Sequence, residues 1–191
     1  MKKILVLCLL ALVMAAPVTL VMAAPAHAQT KLFQTTPIIK AAVENNFEDM
    51  RSLLLKGTSA NTPDGNGKTA LMYAANTGNT DMVQLLLENK ANPNQPDKNG
   101  NGPMFWAAGQ SDPNIIDMLL KAGAKIDQEN RQGMTPLMEA ARTGQLDVLQ
   151  RLIKAGAQLN RLDFTGRSAL AWAQDGRNPR ITAALQKAGA Q

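Results

Sequence analysis

The stretch Asn130 to Ala157 reads NRQGMTPLMEAARTGQLDVLQRLIKAGA, and its pattern of side chains recurs through the rest of the chain. Thr135-Pro136-Leu137 opens a helix, with the threonine placed to cap it and the proline in the first turn, where a missing N–H costs nothing. Ala140 and Ala141 keep that helix slim, and Gly144 supplies the left-handed residue that ends it. Val148, Leu149, Leu152 and Ile153 then give a second helix an apolar stripe at helical spacing, which Gly156 terminates. Neither helix buries its apolar face alone, so the stretch predicts neighbours built the same way.

Those neighbours appear at steps of 33 residues. Thr135 steps back onto Gly102, Thr69 and Thr36 and forward onto Ser168. The alanine pair recurs as Ala41-Ala42, Ala74-Ala75, Ala107-Ala108 and Ala173-Gln174, while Leu152 recurs as Leu53, Leu86, Leu119 and Leu185. No insertion interrupts the register, which divides the chain into units 31–63, 64–96, 97–129, 130–162 and 163–191. On this period, the Thr-Pro-Leu opening and the alanine pair, the sequence resembles the ankyrin-repeat family. The resemblance implies an all-α solenoid of five 33-residue helix-turn-helix units joined by β-hairpin-like loops. It also implies a scaffold that binds macromolecules through its hairpin tips and the groove lined by its first helices. Met72, Phe105, Met138 and Ala171 stand where most such repeats have the histidine of Thr-Pro-Leu-His, so the hydrogen bond from that histidine to threonine is lost.

Ahead of the first unit, Lys2 and Lys3 precede an uncharged apolar run from Ile4 to Ala16, and Ala26-His27-Ala28 supplies small residues before a cut at Gln29. That is the layout of a secretory signal peptide, residues 1–28, leaving a domain of residues 29–191. Pro17 and Pro25 interrupt the segment, which is short for a membrane anchor. Cleavage removes Cys8 and His27, the only Cys and His, and lowers the formal charge from +5 to +3. A chain without thiols suits an oxidising compartment, and the composition resembles that of a Gram-negative periplasmic protein. A charge of +3 spread over the mature length does not make the basic stripe that nucleic acid requires.

The end units read as caps. Glu48, Asp49 and Arg51 in the first unit, and Thr182 and Gln186 in the last, place polar side chains where inner units are apolar, while Phe33 and Phe47 are expected to seal the N-terminal end of the core. The chain stops at Ala190-Gln191 without room for a sixth unit, which reads as closure of the solenoid. The tips read Asp64-Gly65-Asn66-Gly67, Asp97-Lys98-Asn99-Gly100 and Asp163-Phe164-Thr165-Gly166, and Asn-Gly favours a tight turn because both residues tolerate positive φ. Gly102 in place of threonine weakens one helix start by up to about 1 kcal/mol. Asp112-Pro113 and Asn178-Pro179 are expected to begin second helices.

Carried over by position, the candidate protein-binding residues lie on the tips and on the first helices. The tips offer Lys68, Lys98, Arg131, Met134, Phe164 and Arg167. The first-helix place before the alanine pair holds Lys40, Tyr73, Trp106, Glu139 and Trp172, and Arg142 shares a face with Glu139. The only Tyr and both Trp residues thus fall at one repeat position, and aromatics and arginine dominate interface hot spots. On this reading Trp106→Ala weakens partner binding by about 2 kcal/mol and changes the fold little.

Chemistry is disfavoured by inventory. Without His or Cys after residue 28, neither a Ser-His nor a Cys-His pair can be assembled, and no enzyme, cofactor or metal role is expected. Asp64, Asp97 and Asp163 serve their own hairpins, and Glu139 and Asp175 lack a third partner for acid–base work. Met72, Met104, Met134 and Met138 would suit Cu(I), but flexible thioethers ordinarily fill gaps between repeats, and packing is the role expected here. The whole therefore predicts a monomeric periplasmic module that binds another protein and supports or regulates it, without nucleic acid or, once the signal is cut, a membrane. The alternative is an immunity or inhibitor protein that blocks a toxin or enzyme in the same compartment.

Overall fold

The computed structural model describes residues 36–110 and 112–191. The expected signal peptide, its cut site, Phe33 and the tip segment of the first unit lie outside the described residues. The chain forms five consecutive helix pairs: α1 (Pro37–Val43) and α2 (Phe47–Leu55), α3 (Ala70–Thr77) and α4 (Thr80–Glu88), α5 (Pro103–Gln110) and α6 (Pro113–Lys121), α7 (Pro136–Thr143) and α8 (Leu146–Lys154), α9 (Ala169–Asp175) and α10 (Pro179–Lys187). Among the described residues no segment is a strand. The all-α repeat solenoid expected from the period is the observed architecture.

The first helices stack on one another in the order α1, α3, α5, α7, α9, and the second helices form a parallel layer behind them. Ala74, Ala75, Ala107, Ala108, Ala140 and Ala141 are buried between first helices, so those helices approach closely. Leu86, Leu119 and Leu152, with Met82, Ile116 and Leu149, fill the wider spacing of the second layer. Small residues thus separate the first helices and large ones the second, and the first helices form the face on which the resemblance places the groove, the inner face.

Caps explain where the helices start. Asn46, Asn79, Asp112 and Asn178 occupy one repeat position, and each side chain accepts an amide hydrogen from the first turn of its second helix. Gln145 holds the same place in the fourth unit without capping α8; its side-chain amide instead donates to the Gly109 carbonyl at 3.1 Å. Among first helices, the Thr135 hydroxyl accepts from the Met138 amide at 3.3 Å while the Met138 sulfur accepts from the Thr135 amide, so a thioether closes a capping box usually made by Glu or Gln. Thr69 makes no such bond, and among the described residues its buried hydroxyl has no partner. Replacing it with valine removes an unsatisfied polar atom at constant shape. Thr69→Val should leave stability unchanged or raise it by up to about 1 kcal/mol, whereas Thr135→Val should lower it by about 1 kcal/mol; equal losses in urea titrations would contradict the assignment.

Phe47 does not enter the buried core. It is half-buried beside Asp81, Gln84, Leu85 and Glu88 on the second-helix side, because the first position of α2 points toward α4.

Behind the tips, a polar ladder runs between repeats that sequence reading passed over. Asn61 donates to the Lys90 carbonyl at 3.0 Å and accepts from the Asn92 amide at 2.6 Å. Asn94 repeats both contacts with Gly123 and Lys125, and Asp127 and Asn160 accept from Gln158 and Gln191. One side chain per repeat thereby satisfies backbone groups of the next, which is nearest-neighbour coupling in a solenoid without disulfides among the described residues.

Candidate functional site

Each tip is a closed loop before it is a surface. In the second unit the Asp64 carbonyl accepts from the Gly67 amide at 3.0 Å, the Asp64 amide donates to the Lys68 carbonyl at 2.8 Å, and Gly67 alone takes positive φ, at 82°. Asn66, which tolerates that conformation, does not adopt it. The loop is a four-residue turn whose last residue is a left-handed glycine, a geometry that leaves the preceding asparagine in ordinary backbone space. Successive tips are joined by one backbone bond each: Lys98 donates to Asn66, Arg131 to Asn99 and Phe164 to Gln132, all at 2.9 Å. A Cβ added at Gly67 or Gly100 would meet the next tip's backbone nitrogen at 2.9 or 2.8 Å, so those glycines serve close approach as well as conformation.

The tip aspartates fasten each loop to its own first helix. One oxygen of Asp97 accepts from the Asn99 and Asn101 amides at 2.8 and 2.9 Å, and the other from the Trp106 indole N–H at 3.2 Å. Asp64 binds the Tyr73 hydroxyl at 2.8 Å, and Asp163 binds the Trp172 indole N–H at 3.0 Å. The three aromatic residues singled out by sequence are therefore half-buried, with their polar edges already bonded. This alters the expectation that Trp106→Ala spares the fold, since that change also removes a partner of a buried carboxylate.

The ring faces are covered too. The Lys68 ammonium lies 3.4 Å from the centre of the Trp106 ring, one repeat along, and 5.4 Å from that of Tyr73. The Arg167 guanidinium lies 3.7 Å from the centre of the Trp172 ring and donates to Asp175. Cation and ring attract each other through the ring quadrupole, more strongly where water is partly excluded. Burial pushes the Lys68 ammonium below its ordinary pKa, against the opposing pull of Asp97 and Asp64. Burial, then the hydrogen bond to Asp64, pushes the Tyr73 phenol up to about 12.

The fourth unit departs from this scheme at two places at once. Asn130 stands for the tip aspartate and Glu139 for the aromatic ring. Two carboxylates at those places would face each other, and the asparagine avoids that repulsion while its amide donates to Asn101 at 2.9 Å. Glu139 is only 7% exposed and accepts from Arg142 Nε at 2.9 Å and Nη2 at 2.7 Å. Those hydrogen bonds raise the Arg142 pKa, outweighing the effect of burial.

The remaining candidates divide by exposure. Lys98, Arg131 and Phe164 point to solvent on successive tips, Phe164 being 76% exposed. Met134 is half-buried against the core, and Met72, Met104 and Met138 are buried. The signal that reveals the fasteners was present in the sequence: Asp64 and Tyr73, Asp97 and Trp106, and Asp163 and Trp172 are each nine residues apart, and both members change together in the fourth unit.

Asp163 gives the fastener a pH signature. Burial alone would push its carboxyl up, but hydrogen bonds from the Thr165 hydroxyl, the Arg167 and Thr165 amides and the Trp172 indole outweigh burial and hold it below the ordinary value. A depressed folded-state pKa means the contribution is present above the unfolded value, near 3.8, and is lost as pH falls through the lower folded value. The wild-type urea midpoint should therefore drop on acidification below about pH 4, and that of Asp163→Asn should drop less steeply. Parallel acid limbs would remove Asp163 from the account.

No curated protein sequence matches the chain. Among the described residues no helix is long and apolar enough to cross a membrane. A family model described as ankyrin repeats (3 copies) matches residues 14–97, 38–130 and 104–191, the first match beginning inside the apolar N-terminal segment. Ankyrin repeats are a protein–protein interaction fold and in general not a catalytic one. The period, the stacked helix pairs and these overlapping matches agree, and the chain belongs to the ankyrin-repeat family.

Proposed function

We infer that this chain is a non-enzymatic interaction module, exported to the periplasm, that holds a partner protein through its tips and inner groove and supports or regulates it. The observation that carries the reading is the state of the tip row. Its backbone groups, aspartates and ring edges are satisfied internally, while Lys98, Arg131 and Phe164 remain turned to solvent. A surface ordered before a partner arrives loses little conformational freedom on binding, and this is the economy of a preorganised interface. The reading of export rests on Lys2, Lys3, the apolar run and Ala26-His27-Ala28.

Osmotic shock of cells producing the full chain tests location. The released protein should begin at or near Gln29 by intact mass, and recovery of the full-length chain in membranes alone would contradict export. Cross-linking of the released protein, followed by mass spectrometry and reconstitution with the purified candidate, tests the interaction. Saturable binding of one protein is expected, and the failure of every cross-linked candidate to bind after purification would contradict a partner-holding role.

A further inference from the structure

Arg142 sits in the last turn of α7, in the fourth unit, in an arrangement no other described unit repeats. Its repeat equivalents are Val43, Asn76, Gly109 and Asp175, none of them cationic. A guanidinium has two forked edges that match a carboxylate. Glu139 occupies the Nε and Nη2 edge, and among the described residues Nη1 has no partner. The second fork, Nη1 with Nη2, faces outward on a side chain that is 47% exposed. The buried carboxylate beneath fixes the plane of the guanidinium, so little rotamer freedom remains to be lost when a ligand arrives.

The surroundings favour an anion. Gly109, one unit before, is buried against the pair, and a Cβ there would approach Glu139 Oε1 at 3.4 Å, so the small residue lets the carboxylate lie flat on α5. The neighbouring tips display Lys98 and Arg131 outward, while Asp97 and Glu139 lie buried beneath them. Asp175, one unit after, is already paired with Arg167. On these two tips positive charge thus points outward, with Asp97 and Glu139 buried beneath it.

Resting on the reading of the chain as a protein-interaction module, we propose that Arg142, held by Glu139, is the groove's carboxylate receptor, seating a Glu or Asp side chain from an acidic segment of the partner protein. The exchange of the Asp–aromatic fastener for Asn130 and Glu139 in the fourth unit is what places this arginine there. Specificity then depends on one bidentate contact in the groove, with Lys98 and Arg131 adding longer-range attraction that salt screens.

The test uses the mature chain and three fluorescein-labelled peptides of one length, alternating Ser with Glu, Gln or Lys. The Glu/Ser peptide should bind the wild type at least about tenfold more tightly than it binds Arg142→Gln. Titration should also shift the Arg142 Nε resonance. Because Arg142→Gln leaves Glu139 unpaired, the same comparison is made with the triple variant Asn130→Asp, Glu139→Trp, Arg142→Gly, which rewrites the fourth unit as the third. That variant should keep its urea midpoint and lose the Glu/Ser preference. Equal binding of the Glu/Ser and Gln/Ser peptides, equal binding by wild type and both variants, or no binding of any peptide to the wild type would each overturn the proposal. A partner that binds saturably in those circumstances would leave the module reading standing without it.

Discussion

Leu119→Ala lowers the unfolding free energy by about 2–5 kcal/mol, the range for truncating a buried leucine where the surrounding structure closes only partly over the cavity. Leu119 is fully buried on α6, in the central helix pair, with Ile115 and Ile116 of the same helix also fully buried. The helices packed beside α6 are α5 of its own unit, α4 before it and α8 after it. No single one of them can close the cavity without disturbing its other contacts. In a stack held by nearest-neighbour interfaces the damage is felt on both sides, so the midpoint should fall without a separate transition for either half. Urea unfolding followed by circular dichroism measures this, and a loss below about 1 kcal/mol would place Leu119 outside the core.

Asp97→Ala should cost about 2–4 kcal/mol, more than a single hydrogen bond contributes. The carboxylate is 6% exposed and takes two backbone amides and the Trp106 indole. Asn99 is exposed and can turn to water, but Asn101 is buried and its amide cannot. The indole N–H and the Asn101 side chain lose a partner as well, and an unsatisfied buried donor costs about 1–3 kcal/mol. The Lys68 ammonium loses a neighbouring charge in the same change. Asp97→Asn separates these effects: it keeps an oxygen for the amides but carries no charge, so it should retain roughly half of the lost stability. Equal losses for the two variants would mean that charge, and not the hydrogen-bond set, holds the tip.

The fold was legible in the sequence because its signature is repeated. Thr135, the alanine pair and Leu152 recur at one spacing, and each recurrence constrains the same two helices. The capping roles of Asp112 and Asn178 were legible for the same reason, a turn-forming side chain directly before Pro113 and Pro179. The aromatic position was legible as a position but not as a contact. An indole at one repeat place says which face it lies on. Its hydrogen bond to a residue nine places earlier depends on how the tip folds back over the helix, which periodicity does not encode. Cross-repeat contacts such as Lys68 over Trp106 and Asn61 to Asn92 were hidden further still, since they depend on the offset between neighbouring units. Glu139 read as one more first-helix candidate, because its place in the repeat says nothing of its depth; its burial and its pairing with Arg142 are what set it apart.

If a partner binds on the tips and the first-helix face, as proposed, the affinity of one purified partner for surface variants matched in stability will show it. Phe164→Ala and Lys98→Glu alter exposed side chains that make no side-chain hydrogen bond or ion pair in the structure, and Lys154→Ala does the same at the end of α8 in the outer layer. Calorimetric titration should show the two tip variants weakened by about tenfold or more, with Lys154→Ala indistinguishable from the wild type. Unchanged affinity for both tip variants together with a loss for Lys154→Ala would place the binding surface on the second helices and contradict the account.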